Sequence, residues 1–245
     1  MKNQKLHELL PDSLKTGLTI AERKLIDEAS SGELIDYRSQ NPETDKLENA
    51  SNWGPERTIR AMLLRWMFCD ETACKLVHYK GIWIAGVKIV GDLDFEGAIL
   101  SRALRIIFSA IPAEIVLRNA TTQELHVISC HCGSIKAYSM NSSGNLFIIN
   151  TVINGGLFLP GAKIGGQLSC KGAKLNNPDG DALTADGLKV TGNMFLNEGF
   201  EATGAVRLLG AEIGGQLSCN GAKLNNPDET ALDAEGMRLE GTLIW

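Results

Sequence analysis

The stretch GAKIGGQLSCKGAKLNNPDG at residues 161–180 returns almost letter for letter as GAEIGGQLSCNGAKLNNPDE at residues 210–229. The copies begin 49 positions apart in a chain of 245 residues. Each copy contains short runs that alternate apolar and other residues and end at glycine, a pattern typical of short β-strands separated by corners. Self-similarity of this kind predicts a repeat architecture.

A finer period appears when pairs of apolar residues separated by one position are counted, because such pairs share one face of a strand. From residue 93 onward the pairs recur about every 11 residues, with a step of 15 at each copy of the insertion NNPD. Between them runs a second series, for example GVKI at 86 and GLKV at 187. A strand every five or six residues leaves no room for the hairpins of a sandwich or barrel.

Two 11-residue units would hold four short strands and close one coil of about 22 residues. The sequence therefore predicts a mainly β fold, a right-handed four-sided β-solenoid of 11-residue half-coils with about seven coils. The two copies should lie two coils apart, roughly 10 Å. A left-handed triangular helix with a six-residue period is the rival fold, and it fits steps of 11 poorly.

The first 80 residues lack this period and predict a helical cap, so we divide the chain into a cap at 1–80 and a solenoid at 81–245. The sequence TIAE at 19–22 is a capping box, which marks a helix start. The polar stretch from Arg38 predicts a loop, and Pro55 predicts the first turn of a second helix, PERTIRAMLLRWMF. Such helices would cover the open edges and core of the first coil.

Composition narrows the class of protein. The 24 Lys and Arg against 29 Asp and Glu give a net charge of −5, so we expect no nucleic-acid partner. The sequence has no apolar run long enough for a transmembrane segment and no secretory signal at its start. Six cysteines are too few for a disulfide-stapled secreted domain, which predicts a cytoplasmic location.

The stretches WGPERTIRAMLLRW, GVKIVGDLDFEGAIL and GAEIGGQLSCNGAKL, with ALTADGLKVTGNMFL between them, resemble uncharacterised bacterial proteins distantly similar to pentapeptide-repeat β-helices. The resemblance covers roughly residues 18–245 and implies the β-helix fold. Such proteins are often labelled membrane-associated oxidoreductases, but the resemblance brings no catalytic residues. True pentapeptide repeats step by five, whereas this chain alternates five and six. No nucleotide-binding glycine motif supports the label.

Cysteine and histidine come together in HVISCHC at residues 126–132, which suggests a metal site. The period places Cys130 and Cys132 inward and His126 and His131 outward, so these side chains should not converge on one ion. Cys170 and Cys219 should be equivalent core positions beyond disulfide reach. Cys69 and Cys74 match no zinc or redox spacing. We therefore assign no catalytic, cofactor or metal residues.

Three carboxylates alternate on one strand, at Asp92, Asp94 and Glu96, with Arg102 and Arg105 nearby. Paired carboxylates could suit glycoside chemistry. Outward alternating charge is, however, also what a solvated strand shows.

The NNPD insertions are the stronger candidates for binding a partner. They should protrude on one edge of the rod, and their candidate binding residues are Asn176, Asn177, Asp179, Asn225, Asn226 and Asp228. Asn, Asp and Pro also stabilise turns without any partner. On the second predicted helix, Arg57 and Arg60 could hold a partner or an anion, or could anchor the cap on carboxylates and carbonyls.

The favoured hypothesis is a non-enzymatic cytoplasmic scaffold or protein-binding β-solenoid of unknown partner. One alternative is a mimic of duplex DNA that engages a DNA-handling enzyme, which requires outward acidic columns. Another is an enzyme acting on a polysaccharide or redox substrate, which requires a cleft lined by several ionisable groups. The apolar end LIW predicts either a fragment or a homo-oligomer formed through the C-terminal coil.

Overall fold

The computed structural model describes residues 4–227 and 229–245, and most of them belong to short parallel strands or their corners. The strands wind into a β-solenoid of about seven coils, and each coil places one strand on each of four faces. A few short helices precede it. The predicted mainly β, four-sided solenoid with an N-terminal helical end is confirmed.

Faces 1 and 4 are each one continuous sheet of parallel strands. Within the described residues, face 1 consists of Leu34–Asp36, Ile82–Ala85, Leu104–Ile107, Leu125–Ile128, Leu146–Ile149, Leu168–Ser169, Met194–Phe195, Leu217–Ser218 and Leu243–Ile244. Face 4 consists of Ile99–Leu100, Thr121–Thr122, Asn141–Ser142, Lys163–Ile164, Lys189–Val190, Glu212–Ile213 and Arg238–Leu239.

Faces 2 and 3 join into one sheet because two long strands, Lys174–Thr184 and Glu201–Arg207, cross the corner between them. The other strands of face 2 are Thr58–Arg60, Lys88–Val90, Ala110–Ile111, His131–Cys132, Val152–Asn154 and Lys223–Asn225. The other strands of face 3 are Leu93–Asp94, Ile115–Val116, Ile135–Lys136, Leu157–Phe158 and Leu232–Asp233.

Alternate side chains of each strand point inward and stack in columns. On face 1, Leu104 pairs with Leu125, Leu125 with Leu146, and Leu146 with Leu168, and all four side chains are buried. Each fully buried leucine contributes about 2 kcal/mol relative to an exposed one. The interior is therefore a continuous apolar core shared between neighbouring coils.

The inward pairs expected from the sequence are buried from Leu93 to Cys219. The stacking of the two copies is also confirmed. Leu168 of the first copy pairs with Met194, which pairs with Leu217 of the second copy, so one coil separates them.

The N-terminal region contains the α-helices Gln4–Leu9, Asp12–Lys15, Ile20–Glu28, Pro42–Asp45, Ala61–Cys69 and Ala73–Leu76, and the 3₁₀ helix Leu47–Asn52. The capping box is confirmed at the start of the third helix. The Glu22 backbone N–H donates to the Thr19 hydroxyl at 2.9 Å, and the Thr19 N–H donates to the Glu22 carboxylate at 3.0 Å.

The predicted start of the second helix is wrong. Pro55 lies in a turn, and Thr58–Arg60 is a strand that pairs with Lys88–Val90 before the helix begins at Ala61. Tertiary pairing overrides the local helical pattern here, because the segment supplies backbone hydrogen bonds to the open edge of the first coil.

Two further parts of the front region differ from expectation. The polar stretch from Arg38 is not only a loop, since it contains the turns Pro42–Asp45 and Leu47–Asn52. The first of these begins where the Asn41 side chain accepts from the Glu43 N–H. In addition, Leu34–Asp36 extends face 1. The front of the solenoid is therefore covered by strands as well as helices.

Candidate functional site

The two NNPD insertions form a pair of matching loops at the corner between faces 2 and 3. Asn176 pairs with Thr203, and Thr203 pairs with Asn225, so the loops leave the rod at the same position two coils apart. Each loop is held by its own asparagine. The Asn177 side chain donates to the backbone carbonyl of Asp181 at 2.9 Å, and the Asn226 side chain donates to that of Thr230 at 3.1 Å.

The coil between the loops turns the same corner with a short glycine turn. Gly204 has φ 110°, and a Cβ there would lie 2.2 Å from the Asn177 carbonyl oxygen and 2.4 Å from that of Gly180. This close approach leaves an open cleft of about 380 Å³ between the loops, with Thr203 and Ala205 in its floor. The sequence predicted the protrusions but not the cleft.

Acidic and amide groups dominate the rim of this cleft, which we call the loop cleft. Asp179 and Glu229 line it and are exposed. Asp181 is half-buried and accepts a hydrogen bond from the Thr184 hydroxyl. The side chain of Asn176 donates to Asn154 on the preceding coil at 3.1 Å. The remaining candidate, Asp228, lies outside the described residues.

Arg57 is an almost fully buried side chain with three kinds of contact. Its guanidinium donates to the Gly86 carbonyl at 2.7 Å and to the Asp45 carboxylate at 2.6 Å, and it stacks over the Trp53 ring at 3.5 Å. It therefore ties the front region to the first coil. Burial lowers the pKa of Arg57, and Asp45 opposes that effect.

Arg60 is bound just as fully within the chain. Its guanidinium makes two bonds to the Glu22 carboxylate at 2.7 and 2.9 Å and one to the Leu14 carbonyl at 2.9 Å. Glu22 itself is fully buried and also accepts from the Arg60 N–H. Both arginines thus join distant segments of the front region.

The HVISCHC segment is divided between the inside and outside of the rod, as its period predicts. Cys130 and Cys132 are buried, whereas His126 and His131 lie on the outer sides of faces 1 and 2. The Cys130 thiol donates to the Ile128 carbonyl at 3.3 Å. Within the described ranges, no three His, Cys, Asp or Glu side chains form a metal-ligand set.

Burial keeps the core cysteines protonated. It raises the pKa of Cys130 and Cys170 to about 12 and that of Cys219 to about 11, and it also raises the pKa of Cys132 well above its ordinary value. A nucleophilic or redox-active cysteine needs a thiolate. These four thiols therefore act as small core side chains.

The three carboxylates on the first coil each have a separate neighbour. Asp92 accepts from the Glu114 N–H at 3.2 Å, Asp94 lies 3.8 Å from Arg65, and Glu96 lies 3.9 Å from Arg118. They are dispersed along a surface strand rather than turned toward one another.

A second cleft, which the sequence analysis missed, lies on the outer side of face 1 near the front of the rod. We call it the face-1 cleft. It is open, has a volume of about 720 Å³, and is lined by Tyr79, Lys80, Trp83, Arg105, Glu124 and His126 among others. Trp83 pairs with Arg105, and Arg105 pairs with His126, so three successive coils supply one outward column. Their spacing of about one coil was the signal that could have revealed it.

The polar side chains of the face-1 cleft hold one another in place. Arg105 donates to the Glu124 carboxylate at 2.8 Å and to the Lys80 carbonyl at 3.0 Å. His126 stacks on Phe147 with ring centres 4.8 Å apart, and its Nε2 lies 3.5 Å from the Glu124 carboxylate. Burial lowers the pKa of His126, while Glu124 opposes the shift. The imidazole is therefore neutral at neutral pH.

The last coil presents apolar side chains to solvent. Leu243, Ile244 and Trp245 are 51%, 40% and 69% exposed. No helix within residues 4–227 and 229–245 combines the length and apolarity that a bilayer crossing requires. No protein-family model, no curated protein and no solved structure matches this chain.

Proposed function

We propose that this chain is a non-enzymatic scaffold that binds a protein partner across its two NNPD loops. The observation that carries this proposal is the loop cleft. Two loops of nearly identical sequence leave the rod in register, each braced by an asparagine, with a loop-free coil between them. Solenoids commonly bind partners along such repeated surfaces, and braced loops lose less entropy on binding.

The chemistry of the rim indicates the kind of partner. Asp179 and Glu229 are exposed carboxylates, and Asn225 adds an exposed amide. A segment that carries Lys or Arg among hydrogen-bonding side chains would complement this rim. The candidate residues Asn176, Asn177, Asp179, Asn225, Asn226 and Asp228 are proposed as this surface, whereas the geometry of Arg57 and Arg60 supports an anchoring role for them.

Two alternatives receive less support. A mimic of duplex DNA needs acidic columns, but the outward column beside the loops alternates Lys174, Glu201 and Lys223, with both Lys–Glu distances 3.1 Å. An enzyme with a redox-active cysteine would need a reactive thiol, and the four cysteines of the solenoid are kept protonated by burial. A polysaccharide substrate is the exception, because the face-1 cleft brings several ionisable groups together.

Kinship with pentapeptide-repeat-like β-helices and a cytoplasmic location are part of the same proposal. The four-sided coil supports the first. A homo-oligomer formed through the C-terminal coil is a further proposal, supported by the exposed apolar side chains there.

Site-directed cross-linking tests the loop surface. A photoreactive residue such as p-benzoylphenylalanine would replace Asp179 or Glu229, and, as the matched control, the exposed Asn141 on face 4. We expect the same protein from the source cell to be cross-linked at both loop positions and not at Asn141. Cross-linking that is absent at the loops, or equal at Asn141, would contradict the proposal.

A loop graft provides the second arm. The Gly-Ala turn of residues 204–205 would replace residues 177–182 and 226–231, so that both long corners take the geometry of the coil between them. The rod should stay folded and lose the partner. Retained binding in this variant would place the partner elsewhere.

A further inference from the structure

The face-1 cleft is separate from the proposed protein-binding loops, since it lies on another face and near the other end of the rod. Its volume of about 720 Å³ falls within the range of about 300–1,000 Å³ that is usual for small-molecule sites. It is open along its length. A ligand could therefore enter from the side and extend beyond the cleft at either end.

Two exposed aromatic rings line the cleft. Trp83 is 39% exposed and Tyr79 is 72% exposed, although large aromatic side chains are usually covered in a folded protein. Trp83 is placed by the sheet itself, since it pairs with Leu34 on one side and Arg105 on the other. Its indole face thus lies at a fixed position on a rigid surface.

The charges in the cleft balance. Glu33 and Glu124 are matched by Lys80 and Arg105, and His126 is neutral for the reason given above. A strongly anionic or cationic ligand would gain little net attraction from two charges of each sign. The guanidinium of Arg105 is moreover already engaged by the Glu124 carboxylate and the Lys80 carbonyl.

The backbone at the cleft floor is not free to bind an added peptide strand. The Ile82 N–H donates to the Ala103 carbonyl, and the Leu104 N–H donates to the Glu124 carbonyl. A peptide that binds by strand addition needs an open sheet edge, and this cleft lies over the middle of a sheet. Recognition must therefore come from side chains.

We propose that the face-1 cleft binds a neutral oligosaccharide, with one sugar ring stacked on the indole of Trp83. A pyranose ring has a face of C–H groups, which suits the electron-rich face of an aromatic ring. Its rim of hydroxyl groups both donates and accepts hydrogen bonds. The carboxylates of Glu33 and Glu124, the amide of Gln123 and the Lys80 ammonium provide both functions in the cleft.

The rigid placement of Glu124 fits the same role. Its carboxylate accepts from Arg105 at 2.8 Å and from the Asn145 amide at 3.2 Å, so its orientation is set before any ligand arrives. A preorganised acceptor beside an aromatic platform reduces the ordering cost of binding.

Calorimetry on the full chain tests this proposal with four neutral probes: cellohexaose, xylohexaose, mannohexaose and N-acetylchitohexaose. Hexagalacturonate and the glucosamine hexamer serve as anionic and cationic counterparts. We expect at least one neutral probe to bind with a Kd of about 1 mM or below and to bind tighter than either charged probe. Failure of all four to bind up to about 10 mM, or tighter binding of a charged probe, would overturn the proposal.

Two variants assign the binding to the indole. Trp83→Ala should weaken the best neutral probe at least about tenfold, and Trp83→Phe should recover part of that loss because it keeps an aromatic ring. The control is Phe195→Ala, an outward position of face 1 four coils farther along, which should leave the Kd unchanged. Equal losses in the Trp83→Ala and Phe195→Ala variants would overturn the assignment.

Discussion

The front region and the solenoid are held together in different ways. In the front region, contacts such as Arg60 with Glu22 and Arg57 with Asp45 occur once and join segments far apart in the chain. In the solenoid, the same apolar contact recurs on every coil, as in the column of Leu104, Leu125 and Leu146. A repeated contact is shared with two neighbours, whereas a unique contact has no substitute.

The largest effect should come from removing a unique contact. Glu22→Ala would leave the Arg60 guanidinium without its carboxylate and would abolish the capping box at Thr19. We expect the free energy of unfolding to fall by about 4 kcal/mol. Chemical denaturation measures it.

The control for this prediction is Glu212→Ala, which removes an exposed ion pair with Lys189. Exposed pairs contribute little to stability, so its unfolding midpoint should match the wild-type protein. Equal destabilisation in the two variants would show that the front region does not depend on its buried ion pair.

A smaller loss is expected within the repeated core. Leu168→Ala would open a cavity under face 1 and should cost about 3 kcal/mol. Leu243 occupies the same column two coils beyond Met194 but is 51% exposed, so Leu243→Ala should cost much less. A similar loss in both variants, measured by denaturation, would contradict the inward register.

A glycine pair sharpens the comparison at the corners. Gly204→Ala would drive a Cβ against the Asn177 and Gly180 carbonyls and should cost about 2 kcal/mol. Gly187 also has positive φ, but a Cβ there would meet nothing within 4 Å, so Gly187→Ala should cost only about 1 kcal/mol. Thermal unfolding compares them, and the reverse order would argue against the close approach between coil and loop.

The smallest effect is expected at Cys130. The neighbouring coils place Ser109 and Thr151 at this corner, and both hydroxyls bond to backbone carbonyls. Cys130→Ser should therefore change stability by less than about 0.5 kcal/mol. A loss of several kcal/mol on denaturation would show that the thiol does more than fill the corner.

Thiol labelling checks the same burial from another side. At pH 8 the native chain should react at Cys69, which is exposed, and at the half-buried Cys74. The four solenoid cysteines should react only on unfolding, because burial places the pKa of Cys130 and Cys170 at about 12 and that of Cys219 at about 11. Rapid labelling of Cys170 in the native state would contradict their enclosure.

How far the sequence predicts the molecule follows from the same contrast. The inward pairs from Leu93 to Cys219 were predictable because each repeats a local two-residue period, and one good coil calibrates the next. Thr58–Arg60 was not, because its strand depends on an edge supplied by Lys88–Val90, some 30 positions away. Local helical spacing competes with that edge and loses.

The two clefts show the same limit. The NNPD loops were visible because they repeat as sequence, but the gap between them depends on the close approach of Gly204. The face-1 cleft depends on Trp83, Arg105 and His126 falling in one outward column. That alignment follows from register, which becomes known only once the length of every coil is fixed.

The central claim is that one coil of about 22 residues is the structural unit, and a matched pair of deletions tests it most directly. Removing residues 146–167 joins Asn145 to Leu168, the register partner of Leu146 on the next coil. Removing residues 146–156 takes out half a coil and brings a face-3 strand onto face 1. Thermal unfolding followed by circular dichroism should show a cooperative, β-rich transition for the full-coil deletion and none for the half-coil deletion. The opposite result, or the same result for both deletions, would contradict the account.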